Sequence, residues 1–201
     1  MYSDTEICNM ALGWLGANAI VDLQEESDIG ELCRNSYPSA IRLTLEARDW
    51  TFATKRATLV PLVVAPAFGY AYGFQTPADN LRILSVSKDE KDYRGVEWVL
   101  EEKVILCDYN PLYIRYIKHV TDPTKFSPAF AVAVAETLAS FLAMPITENP
   151  ALVKLYDEKL KDMIMMGGSL DGVQGTSPKF RSHGLADVRR TRVVDGTGNY
   201  I

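Results

Sequence analysis

Residues that carry chemistry are scarce in this chain. Its 201 residues include three cysteines and two histidines. Cys8, Cys33 and Cys107 are odd in number and far apart, which excludes a disulfide framework and gives no zinc spacing. They read as buried free thiols of a protein made in a reducing cytoplasm. His119 and His183 have no Cys or Ser partner in a catalytic pattern. There is no Gly-x-Ser-x-Gly elbow, phosphate loop, dinucleotide fingerprint or His-Glu-x-x-His helix. The chain is therefore expected not to be an enzyme, with no metal and no cofactor. The carboxylates, being numerous, leave open a hidden pair of the polysaccharide-hydrolase kind. Positive charge is also short: the net charge is −5, against a tight grip on nucleic acid through phosphate neutralisation. The opening Met1-Tyr2-Ser3-Asp4 lacks a basic region, so no secretory signal is expected. The longest apolar run, residues 129–144, is broken by Glu136, Thr137 and Ser140 and is short for a bilayer. It reads as a buried core helix, and no membrane contact is expected.

What is present is organised by period. Ser3 and Glu6 have capping-box spacing, and Ile7, Met10, Ala11, Trp14 and Leu15 share a helical face before Gly16 stops it. A second helix begins near Ser27 or Asp28. Ile29, Leu32, Cys33, Tyr37, Ala40, Ile41, Thr44 and Leu45 hold the register to about Asp49. Pro38 either kinks or splits this helix, the unbroken register favouring a kink. Pro61, Pro66 and Pro77 then exclude a long helix. Segments 81–86, 95–100, 103–107 and 112–120 read as strands, with a hairpin at Glu101-Glu102-Lys103 and a solvated charged loop at residues 88–92. Ser127-Pro128 opens an apolar helix that Pro145 ends, and Asn149-Pro150 opens another that Gly167-Gly168 stops. The face of this last helix is Leu152, Leu155, Tyr156, Lys159, Met163 and Met166. From Gly167 onward seven glycines and few large apolar residues leave nothing to build a core, while Lys179, Arg181, Arg189, Arg190 and Arg192 make the segment basic.

The expected fold is α+β: an antiparallel helical bundle (residues 1–54 and 122–167) with an inserted small antiparallel β lobe (55–121) and an extended C-terminal arm (168–201). Trp50, Phe52, Phe68, Tyr70, Tyr72 and Phe74 crowd one region near Arg48, Lys55 and Arg56. That pattern suits single-strand stacking on nucleic acid, or packing where the second helix meets the lobe. Packing is favoured, because aromatics dominate core burial. Tyr70-Ala71-Tyr72 alternates as a strand does.

Several of these pieces resemble a family. Arg48-Asp49-Trp50-Thr51-Phe52-Ala53, then Arg56 and Leu59, is similar to the signature after the second helix of the head–tail adaptors of short-tailed phages, the tail tubular protein A or gatekeeper family. Tyr70-Ala71-Tyr72, Thr76-Pro77-Ala78-Asp79 and Leu81-Arg82 resemble its aromatic and Pro-x-Asp segment. Tyr116-Ile117, Asp122 and Phe126-Ser127-Pro128-Ala129-Phe130 resemble the lead into its apolar helix, and Cys8-Asn9-Met10-Ala11-Leu12 with Leu15-Gly16 its opening. The matched pieces span most of residues 5–165.

The resemblance implies a structural virion protein of the short tail, made in the host cytoplasm. Such subunits form a homo-oligomeric ring, usually of twelve, between the portal protein and the tail nozzle protein. Double-stranded DNA passes through the ring's channel without sequence-specific binding, during packaging, retention and ejection. An acidic net charge suits such a channel, since like charge prevents sticking. For the arm, Phe180, Leu185, Val188, Tyr200 and Ile201 are candidate anchors, and Arg181, Arg189, Arg190 and Arg192 candidate partners for carboxylates. They would meet either the portal or a ring neighbour. A DNA-binding module working through the basic arm, and the hydrolase, are the competing readings.

Overall fold

A computed structural model describes residues 2–90 and 96–171. The architecture is α+β, with four helices and two small antiparallel sheets among the described residues. The helices are α1 (Asp4–Leu15), α2 (Asp28–Ala47), α3 (Pro128–Ile146) and α4 (Pro150–Asp171). Between α2 and α3 run β1 (Thr54–Leu59), β2 (Tyr72–Gln75), β3 (Asn80–Ser87), β4 (Trp98–Glu101), β5 (Val104–Cys107) and β6 (Leu112–Lys118).

Local chemistry places the helix ends. The Ser3 hydroxyl accepts from the Glu6 N–H at 3.1 Å while the Glu6 carboxylate accepts from the Ser3 N–H at 2.7 Å, a complete capping box. Gly16 closes α1 in the left-handed region at φ 73°, where a Cβ is disfavoured. Ser27 and Ser127 cap α2 and α3 through the N–H groups of Gly30 and Phe130. Helix α2 is continuous through Pro38 and ends at Ala47, two residues before Asp49, because Arg48 turns to extended backbone.

Other expectations shift. On α1, Cys8 and Leu12 are buried and Trp14 is partly exposed, so the inward face is rotated from the predicted one. Pro145 does not end α3: the Thr147 N–H bonds the Ala143 carbonyl and carries the helix one residue further. Helix α4 runs through Gly167-Gly168 to Asp171; glycine permits a stop without imposing one. On α4 Tyr156 is buried while Leu155 and Lys159 are exposed.

The four predicted strands are present as β3, β4, β5 and β6, with shifted ends. The hairpin lies at Glu102 and Lys103, both with positive φ (46° and 67°), as a two-residue turn requires. Strand β1 was not among the predicted strands. Tyr70 and Ala71 precede β2 and do not belong to it: Gly69 turns the chain at φ 88°, and the Ala71 N–H is held by the Asp108 carboxylate at 2.9 Å.

The sheet orders are β1-β6-β3 and β2-β5-β4. Two cores result. One joins α1, α2 and α3, with Tyr156 of α4 and with Ala53, Ile117 and Val120. The other lies between the sheets, around Phe74, Ile83, Ile105, Leu112, Ile114 and Tyr116. Strand β6 is central to its sheet, so its alternate residues serve both: Leu112, Ile114 and Tyr116 face the second sheet and Ile117 joins the helices. Helix α3 is long and apolar enough to cross a membrane, and 56% of its apolar window is buried here, packed on α1, α2 and α4.

Candidate functional site

Part of the set singled out as a signature, Asp49, Trp50, Phe52, Asp79, Leu81 and Arg82, lies at one place, the joint between the helices and the β lobe. Trp50 follows the end of α2 and donates its indole N–H to the Thr44 carbonyl at 2.8 Å, satisfying one of the helix's last free acceptors. Its ring meets Phe130 edge-on at 4.9 Å. Phe52 and Phe126 meet the same ring at 5.0 and 4.7 Å, so three aromatics surround the fully buried Phe130. The single turn of 3-10 helix at residues 51–53 then delivers the chain into β1.

Polar contacts tie the same joint. Asp49 pairs with Arg82 of β3, whose side chain is only 8% exposed while that of Asp49 is 65% exposed. Asp79 sits at the turn before β3, where Pro77 accepts from the Asn80 N–H at 2.9 Å. One Asp79 oxygen accepts from the Tyr116 hydroxyl at 2.9 Å and the other from Lys55 Nζ at 3.3 Å; its carbonyl accepts from the His119 N–H at 2.7 Å. Burial works to raise the Asp79 carboxyl, but the bonds from Tyr116 and Lys55 outweigh it and hold the group below its ordinary range. The Tyr116 phenol is raised by burial and then by Asp79. Leu81 is half-buried against the helical core.

Of the remaining signature residues, Arg56 is exposed on β1 opposite Arg115, away from the joint. Tyr70 is half-buried; burial first, then the charges of Glu97, Asp108 and Glu101, raises its phenol. Tyr72 packs its ring 6.3 Å from Phe74. Phe68 does not join the aromatic cluster and is 88% exposed. The arm candidates Phe180, Arg181, Leu185, Val188, Arg189, Arg190, Arg192, Tyr200 and Ile201 lie outside the described residues, as does His183.

The structure brings Cys8 and Cys33 together across α1 and α2, and all three cysteines are free and buried. The Cys8 thiol is pushed well up by its hydrogen bond with Cys33 and by burial. Among the described residues no group of three or more His, Cys, Asp or Glu is placed to hold a metal. A cleft of about 280 Å³ between α2, α3 and α4 is lined by Arg48, Glu136, Thr137, Ser140, Lys159 and Asp162. It contains two carboxylates, but Glu136 is ion-paired with Lys159, and the Thr137 hydroxyl is held by the Ala133 carbonyl and the Thr44 hydroxyl.

One surface escaped the sequence reading. Residues 60–71, between β1 and β2, expose Val60, Val63, Val64 and Phe68. The signal was available: twelve consecutive residues with no charge and no polar side chain but Tyr70.

A comparison with models of known protein families finds no match to this chain, and a comparison with curated proteins finds none either.

Proposed function

We propose that this protein is a structural subunit of the head–tail connector of a short-tailed bacteriophage. It forms a ring of copies between the portal and the tail nozzle and leaves a channel for the genome. In this reading α1–α4 are the wedge-shaped bundle that packs side by side, the β lobe faces the next tail component, and the C-terminal arm clasps the portal or a ring neighbour. The observation that carries the reading is the convergence of Asp49, Trp50, Phe52, Asp79, Leu81 and Arg82 on the joint. These residues carry the resemblance to the adaptor family, and they brace two bodies against each other. A ring under internal DNA pressure needs such bracing. A subunit that must release DNA also benefits from net negative charge.

The test is negative-stain microscopy of the purified chain, alone and mixed with the portal of the same phage. A ring with a central channel, alone or on the portal, is expected. A chain that stays monomeric with the portal present refutes the connector. Polysaccharide turnover abolished by Glu136→Gln would install the hydrolase reading in its place.

A further inference from the structure

The helices alternate in direction, so two of their connections lie at the end of the bundle away from the lobe. The Tyr37 hydroxyl donates to the Asp4 carboxylate at 3.1 Å, and one turn along each helix Cys33 meets Cys8, so α1 and α2 are antiparallel. Helix α3 starts at the joint with Phe130, and Lys159 of α4 pairs with Glu136 midway along it, so these two are antiparallel as well. Residues 16–27 and 147–149 are therefore both at the far end, about 30 Å from the joint along the twenty residues of α2. Helix α4 runs the other way and ends at Asp171 on the lobe's side of the bundle.

The far end is acidic. Residues 10–33 contain Asp22, Glu25, Glu26, Asp28 and Glu31 and no lysine or arginine. Arg34, the next residue of α2, donates its guanidinium to the Leu23 carbonyl at 3.1 Å. At the other connection Glu148, Asp157 and Glu158 line a groove of about 490 Å³ with Lys154 and Lys161. The end thus carries eight acids against three cations. Asp28 and Glu31 also complement the positive end of α2, but Glu26 and Glu148 are exposed in the connections, outside any helix. Two apolar side chains stand in water at the same end: Val21 is 87% and Met144 80% exposed.

The sequence supplies an occupant of opposite charge. Beyond Asp171 the arm has five lysines and arginines against two acids, Asp187 and Asp195, whereas residues 1–171 have 16 lysines and arginines against 24 acids. Copies of the body therefore repel one another, and a basic segment laid between them offsets that repulsion. The 30 residues of the arm span at most about 100 Å, enough to leave one body on the lobe's side and cross to the next. We propose that the arm, through Arg189, Arg190 and Arg192, docks on the acidic far end of a neighbouring copy, with Leu185 and Val188 against Val21 and Met144. The inference rests on the connector reading for the assembly that these contacts build, and it selects the ring neighbour over the portal as the arm's receiver.

The experiment uses the full chain, with and without the portal of the same phage, and reads association by sedimentation velocity at low salt and rings by microscopy. Glu26→Lys/Glu148→Lys reverses the receiving end, and Arg189→Glu/Arg190→Glu reverses the arm. Each double variant alone should associate roughly tenfold or more weakly while keeping the wild-type melting temperature. The two variants mixed should associate as wild type does, because every arm then meets an end of opposite charge on its neighbour. Rescue when all four substitutions share one chain, but not on mixing, overturns the proposal in favour of an arm folded on its own body. An arm variant that neither mixing nor the fourfold variant restores overturns it in favour of the portal as receiver. Double variants that associate as wild type does overturn the contact and leave the connector standing. A wild type that associates, with rescue on mixing, yet forms no ring on the portal removes the connector and keeps the contact. One that stays monomeric in both conditions removes both.

Discussion

The Asp49–Arg82 pair is lopsided, and its two ends should respond unequally to mutation. The guanidinium is 8% exposed, whereas the carboxylate is 65% exposed. Arg82 Nε is buried without a hydrogen-bond partner among the described residues, so Asp49 provides much of what stabilises that charge. Asp49→Asn leaves a buried cation with a neutral partner. Breaking a wholly buried pair from one side costs about 3–5 kcal/mol, and a surface pair is worth about 0–1 kcal/mol. With one end in water, about 1–2 kcal/mol is expected. Arg82→Met keeps much of the apolar stem and strands no charge, since Asp49 turns to solvent; its cost should stay under about 1 kcal/mol. In the Arg82→Met background, Asp49→Asn should be nearly silent, giving a coupling of about 1 kcal/mol. Urea unfolding with unchanged m-values reads all three, and thermal melts should move by about 2–4 °C per kcal/mol in a domain this size. If Asp49→Asn costs no more than Arg82→Met, the stranded-charge account of the joint is wrong.

Two further outcomes follow from the same joint. Phe130→Ala empties the centre of three aromatic contacts and should destabilise by about 3–5 kcal/mol in urea, whereas Phe68→Ala on the exposed loop should stay within about 0.5 kcal/mol. Asp79 has a folded pKa held below its ordinary 3.8, so its stabilising effect is present above that value and is lost as pH falls through the lowered one. Asp79→Asn should therefore lower stability at neutral pH and flatten the acid limb of the unfolding curve below about pH 4. An acid limb of unchanged slope in the variant would show that Tyr116 and Lys55 do not act on Asp79 as described.

Much of the fold was legible because its punctuation is local. Ser3 with Glu6, Ser27, Ser127-Pro128 and the Glu102-Lys103 turn each act within a few residues, so spacing reveals them. Strand β1 was missed because Thr54–Leu59 has four polar residues in six and gains its place only by pairing with β6, more than fifty residues away. The inward face of α1 was misplaced because period alone did not show that Cys8 and Leu12, and not Trp14, meet α3 and its neighbours. The signature residues were named from resemblance, yet the sequence did not show which of them touch. Asp49 with Arg82, and Asp79 with Lys55 and Tyr116, are pairs separated by tens of residues.

By itself, then, the sequence determined where helices start and where the apolar α3 lies, since capping depends on near neighbours, whereas Pro145 and Gly167-Gly168 did not end their helices. Only the tertiary structure decided which polar groups meet at the joint and which apolar residues remain outside. Residues 60–71 read like buried core by composition. They are exposed because β1 and β2 join different sheets, and the chain between them has to cross the free end of the lobe.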